Sequence, residues 1–315
     1  MDQETPKKRG ELLKTIYQRV RACEAFFLDP DYLKICGIQA SQIGILDGIL
    51  QFQPCFFLPN QVNILQFPTK EEITPMFPRP DFPSLLSEIQ KESPESALEL
   101  TIEAYDSDLK IFHSLDDWAG NARDILSYVE EQFGAQRVGL PHGAEGGADL
   151  THLWGERTDF QGPFSETCRQ PEIALEWELD GVREDLSEND LPHAIAAMTA
   201  AVPANYAERS ITLHEVQCLV DLMWNREVHG RFWREDEVQP LLLFSYMGQK
   251  HGRITQATFD GERLTIQYSQ PFCFEDETQA SVELFLRYLS ISLSDQKDRL
   301  FHFGCLDTVS MSTWM

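Results

Sequence analysis

The feature that most constrains this chain lies between residues 241 and 268. Leu241 to Met247 is an unbroken apolar run, the pattern of a strand buried on both faces. Ile254 to Phe259 and Leu264 to Tyr268 follow, flanking Asp260-Gly261, a dipeptide that favours a tight hairpin. A two-residue turn there pairs Phe259 with Glu262, Ala257 with Leu264 and Thr255 with Ile266, with Thr258 opposite Arg263 and Gln256 opposite Thr265 on the other face. Apolar side chains then meet apolar ones, and a slip of one residue would destroy the match.

Helical periodicity brackets this three-strand unit. Thr212-Leu213-His214-Glu215 has the capping-box spacing, and Leu213, Val216, Leu219, Val220, Met223 and Trp224 form an apolar stripe behind it. A helix over 278–293 carries Val282, Phe285, Leu286, Leu289 and Leu293. The expected fold class is α+β: a C-terminal three-stranded antiparallel meander packed by helices on one face, and an N-terminal mixed helix and hairpin region.

In the N-terminal half, Leu12, Leu13, Ile16, Val20, Cys23 and Phe27 predict a helix over 8–28, turned at Asp29-Pro30, and a short helix follows over 31–38. Asp47-Gly48 sits among aliphatics as a candidate hairpin turn. Val62 to Phe67 reads as a strand, 68–83 as a proline-rich loop, 83–91 as a helix, and 98–105 as a strand by its alternation, with 109–113 as its partner and a helix started at Ser93 as the rival. Residues 115–134 read as a helix with Trp118, Ile125, Leu126, Val129 and Phe133 on one face. Glycines then erase all periodicity to Pro171, so the chain divides into 1–135, a linker or functional loop over 136–171, and 172–315. In the last part, 173–179 alternates as a half-exposed strand ending at Asp180-Gly181, 182–190 reads as a solvated acidic stretch, and 193–201 as a helix.

Composition narrows the function. Among 315 residues, 51 acids stand against 26 bases, a net charge of −25. Such a chain is a poor ligand for nucleic acid or an anionic membrane, since both need clustered cations. Residues 172–190 alone hold eight acids and one base, Arg183. The seven cysteines (Cys23, Cys36, Cys55, Cys168, Cys218, Cys273 and Cys305) form no C-x-x-C pair and no disulfide framework, and read as thiols in a reducing compartment. No apolar leader or membrane-length run is present, so a cytoplasmic protein is expected. The Lys7-Lys8-Arg9 cluster offers a nuclear import signal as the alternative.

Candidate chemistry is sparse. His142, Glu145, Asp149 and His152 fall within eleven residues of the glycine-rich segment, and all four are metal-ligating types. Gly143 to Gly147 lacks the Lys-Ser/Thr of a phosphate loop and carries Glu145 instead. His214-Glu215 evokes a zinc-binding H-E-x-x-H, but Cys218 replaces the second histidine, and the capping box accounts for Glu215. His113, Asp116 and Asp117 precede a helix with no nucleophile beside them, and no nucleophile-elbow motif occurs. Lys250, His251 and Arg253 form a cationic tip on the loop after Met247, the expected anion or ligand site. No cofactor is expected.

Pro240 to Leu264, with Phe285-Leu286-Arg287-Tyr288-Leu289, resembles a module of lineage-restricted ascomycete fungal proteins over about residues 210–295. The family has no established activity, so the resemblance implies an intracellular fungal origin and no catalytic residue. Two functions remain as expectations. One is a non-enzymatic interaction or regulatory protein with a basic protein partner. The other is an enzyme or small-molecule binder with a site between the halves, around 138–170 and His251.

Overall fold

The computed structural model describes residues 4–23, 25–59, 115–135, 154–156, 177–185, 192–202, 209–229, 238–248, 251–274 and 279–290. Its helices are α1 (Glu4–Arg21), α2 (Pro30–Cys36), α3 (Leu115–Ala135), α4 (Leu213–His229) and α5 (Gln279–Leu289). Its strands are β1 (Phe27–Leu28), β2 (Ile38–Gln42), β3 (Ile45–Leu46), β4 (Ile49–Leu50), β5 (Trp154–Glu156), β6 (Trp177–Asp185), β7 (Ala194–Ala200), β8 (Ile211–Thr212), β9 (Leu241–Met247), β10 (His251–Phe259), β11 (Leu264–Tyr268) and β12 (Phe272–Cys273). Helices and strands are thus combined in one chain. The sequence-predicted elements over 62–113, and the quartet His142, Glu145, Asp149 and His152, lie outside the described residues.

One sheet organises the molecule, in the order β2-β11-β10-β9-β7-β6-β5, with β12 added beside β10. It is wider than the expected three strands, and it is mixed: β11 pairs in parallel with β2, and β7 in parallel with β9. Helices cover both of its faces rather than one. Leu241, Leu243 and Met247 join a core with α1, α2 and α4, whereas Leu242, Phe244 and Tyr246 join a second core with α3 and α5. The physical reason is the β9 run itself, since apolar residues on both faces of the strand need cover above and below. Because β2 lies in this sheet and α1 packs on α4, residues from before 135 and after 172 share one sheet and one core.

Several local expectations are corrected. Residues 194–200 form a strand, not a helix. The run Ala-Ile-Ala-Ala-Met-Thr-Ala has no period that separates a buried strand from a buried helix, and a central position between β9 and β6 decides it. β6 does not stop at Asp180-Gly181. The register shifts between Leu179 and Gly181, and the strand runs on to Asp185, burying Val182 and Glu184 in what reads as a solvated stretch. Trp154–Glu156 pairs with its outer edge, inside the segment that shows no periodicity. Helix α1 ends at Arg21, so that Phe27 is free to pair as β1 with β8.

The β10–β11 register is two residues off the expected one: Phe259 faces Leu264 and Ala257 faces Ile266. An even slip preserves which face each side chain occupies, so hydrophobic patterning alone cannot detect it. The turn geometry decides. Gly261, at φ +94°, takes the first central position, and the Asp260 carboxylate accepts the amides of Glu262 (2.9 Å) and Arg263 (2.7 Å). The polar face of the hairpin is covered rather than solvated. The Gln267 carboxamide oxygen accepts the Gln53 amide and its nitrogen donates to the Gln53 carbonyl; Gln256 accepts from the Phe56 amide and donates to the Pro54 carbonyl.

Gly252 shows how tightly the second face is filled. A Cβ there would lie 2.8 Å from Phe274 Cε2 and 2.8 Å from Phe285 Cζ, and both rings are buried. Gly252→Ala is expected to destabilise the chain by about 1–3 kcal/mol, because neither ring has room to move in a close-packed core. The urea midpoint checks this, and an unchanged midpoint would show that the aromatic cluster is loose.

Candidate functional site

The chemistry-bearing residues of the described structure converge on α4. Its start follows from the sequence as expected. Thr212 Oγ1 accepts the Glu215 amide at 3.1 Å, and Glu215 Oε2 accepts the Thr212 amide at 2.9 Å. The same carboxylate then does what the local motif does not announce. Its Oε2 also accepts Thr212 Oγ1 (2.8 Å) and Arg253 Nη1 (2.7 Å), and its Oε1 accepts Ser245 Oγ (2.5 Å). Glu215 is 0% and Arg253 1% exposed. The Arg253 guanidinium also lies over the Tyr268 ring, 5.4 Å from its centroid. This network sits where α4 begins, beside the carboxyl ends of β7 and β9, the end at which open α/β sheets place ligand sites.

Two further buried ion pairs hold the other end of α4. Arg226 donates to the carbonyls of Pro240 (3.1 Å) and Pro192 (2.8 Å), at the starts of β9 and β7, and lies 3.4 Å from Glu184 of β6. Glu227 binds Arg9 of α1 through two parallel contacts of 2.6 and 2.8 Å, the fork geometry that suits a guanidinium. Arg9 also covers the Phe259 ring at 5.2 Å. Each partner comes from a different element, so α4 is fixed to β10, to β6 and to α1.

His214, next to Glu215, is 4% exposed. Burial pushes its imidazole pKa down to about 4, against a smaller opposing pull from the Glu215 carboxylate. It is therefore neutral at physiological pH. The phenols of Tyr246 and Tyr288 are pushed up by burial and stay protonated.

The sequence-predicted ligand site is redistributed. Lys250 lies outside the described residues. His251 and Arg253 do not sit on a loop tip: both belong to β10 and are buried, and Arg253 is committed to Glu215. The alternation that places Ala257 and Phe259 in the core places Arg253 there too, which the glycine-punctuated context hides. Of the Lys7–Arg9 cluster, Lys8 is exposed and Arg9 is buried against Glu227. The described cysteines Cys23, Cys36, Cys55, Cys218 and Cys273 are not joined in disulfides. Among the described residues, no group of three or more His, Cys, Asp or Glu side chains is placed to hold a metal ion. Among them too, no helix is long and apolar enough to cross a membrane.

Sequence reasoning missed one surface feature. Among the described residues β2 is an edge strand; the expected helix over 31–38 ends at Cys36, where Gly37 at φ +94° caps it and releases Ile38 into the sheet. Ile35, Ile45 and Leu46 stand exposed just before and just after this strand. No family model, no curated protein and no solved structure matches the chain.

Proposed function

We propose that this chain is a non-enzymatic interaction or regulatory protein that binds a basic protein partner through its acidic surface. One observation carries the reading: Arg9, Arg226 and Arg253 are spent inside the fold against Glu227, Glu184 and Glu215. Setting these three pairs aside leaves 48 acids against 23 bases for the rest of the chain. Arg9 and Arg253, two of the cations that the sequence offers as binding spots, are therefore withdrawn from the exterior, and the remaining excess of acids gives a predominantly negative field, which steers a basic partner and repels acidic ones. With Arg9 engaged internally, a cytoplasmic rather than a nuclear location is the better-supported reading.

Affinity purification of the full chain at about 0.05 M salt should recover partners of high isoelectric point, and about 0.5 M salt should release them, because the screening length falls several-fold across that range. Recovery of acidic partners, or binding indifferent to salt, would overturn the proposal.

A further inference from the structure

We propose that the outer edge of β2 is a docking site that takes an extended, basic segment of the partner as an added strand; this rests on the basic-partner reading above. Among the described residues β2 pairs with β11 alone. Its five residues, Ile38-Gln39-Ala40-Ser41-Gln42, contain no charge and no proline. Edge strands ordinarily carry such residues, or a bulge, to prevent pairing with another chain. This edge carries none, and its length of about 17 Å suffices for several main-chain hydrogen bonds.

The surroundings select the occupant. Ile35 is 75% exposed before the strand, and Ile45 and Leu46 are 46% and 61% exposed after it. The β3–β4 hairpin holds the last two in place, turning at Asp47 and Gly48, both with positive φ (51° and 71°), as a primed turn requires. The edge is thus bracketed by aliphatic anchors at both ends. Across 29–51, Asp29, Asp31 and Asp47 stand against Lys34 alone. The neighbouring turn adds Asp260 and Glu262 and one cation, Arg263, which donates to the Gln39 side chain at 3.1 Å; Arg287 donates to the Gly48 carbonyl at 3.0 Å, so the acids around the edge still outnumber the bases, by five to three. An incoming strand with aliphatic and lysine residues matches this edge in both respects, whereas an acidic one meets like charge.

The test uses the full chain and a synthetic peptide of alternating Lys and Val, read by amide hydrogen exchange over Ile38–Gln42. The peptide should slow exchange there. Gln39→Lys combined with Ser41→Lys should weaken binding at least about tenfold by placing gatekeeper charges on the edge. Ile45→Ser with Leu46→Ser, which removes the aliphatic anchors at exposed positions without changing the charge, should do the same. Unaltered affinity in both variants overturns the proposal. A Glu–Val peptide that protects the same amides equally well also overturns it, since the edge would then dock strands without regard to charge. Concentration-dependent protection without peptide would assign the edge to a second copy of this chain, and protection in the free chain at every concentration to one of its own segments; either result overturns it. A salt-released basic partner that leaves exchange over Ile38–Gln42 unchanged would sink the edge proposal while leaving the basic-partner reading intact.

Discussion

Glu215→Ala should destabilise the fold by about 3–5 kcal/mol, a large share of the stability of an ordinary domain. The carboxylate accepts hydrogen bonds from Thr212, Ser245 and Arg253 at once, and it is fully buried. Most of the expected loss is not the strength of the ion pair itself. It is the cost of leaving Arg253, 1% exposed, charged and uncompensated in the core. Loss of the reciprocal cap adds about 1 kcal/mol. Glu215→Gln keeps the volume and can still accept from Ser245, so it should fall between the alanine variant and the wild type. Urea unfolding gives the comparison. A loss below about 1 kcal/mol for Glu215→Ala would mean that Arg253 readily finds another partner or water.

The second large effect is a dependence on acid. His214 has its pKa lowered from 6.5 to about 4 by burial. The unfolded chain therefore binds a proton in a range where the folded chain does not. The sign follows: the contribution of the neutral, buried imidazole is intact above pH 6.5 and is lost as the pH falls towards 4. Over that window the loss amounts to about 3 kcal/mol. Carboxylates also respond to acid, so the informative quantity is the difference between chains. His214→Asn should be less stable at pH 7 but flatter than the wild type between pH 6.5 and 4, as measured by urea midpoints. Parallel pH profiles for the two chains would show that His214 titrates normally.

Local signals were legible in the sequence and distant ones were not. The Thr212 to Glu215 spacing, the apolar stripe of α4, the β9 run and the Asp47-Gly48 turn all arise from neighbours within a few residues, where propensity and periodicity act. Glu215's wider role depends on Ser245 and Arg253, separated from it by 30 and 38 residues. No local pattern encodes such a meeting, and the charge of Arg253 invites a surface reading that only the sheet's alternation corrects. β7 was hidden for a different reason: an alanine-rich, almost wholly apolar segment satisfies helix propensity, and its neighbours β9 and β6 make it a strand. β2 is short and polar on one side, and its placement depends on β11, more than 220 residues further along the chain.

The candidate site changed in the same way. Arg253, one of the residues nominated for binding by their cationic character, is an internal fastening of α4, and His251 is buried in β10. The surface feature with the strongest case for recognition is an uncharged edge, inconspicuous to any motif search. Both conclusions depend on Arg253 being spent inside the fold.

A double-mutant cycle on Glu215→Gln and Arg253→Met measures that directly. Each single variant leaves a buried polar or charged group without its partner, whereas the double variant removes both charges. The account predicts that the double variant is more stable than Arg253→Met alone, with a coupling of at least about 2 kcal/mol. Additive losses would contradict it, and would return Arg253 to the list of residues available to a ligand.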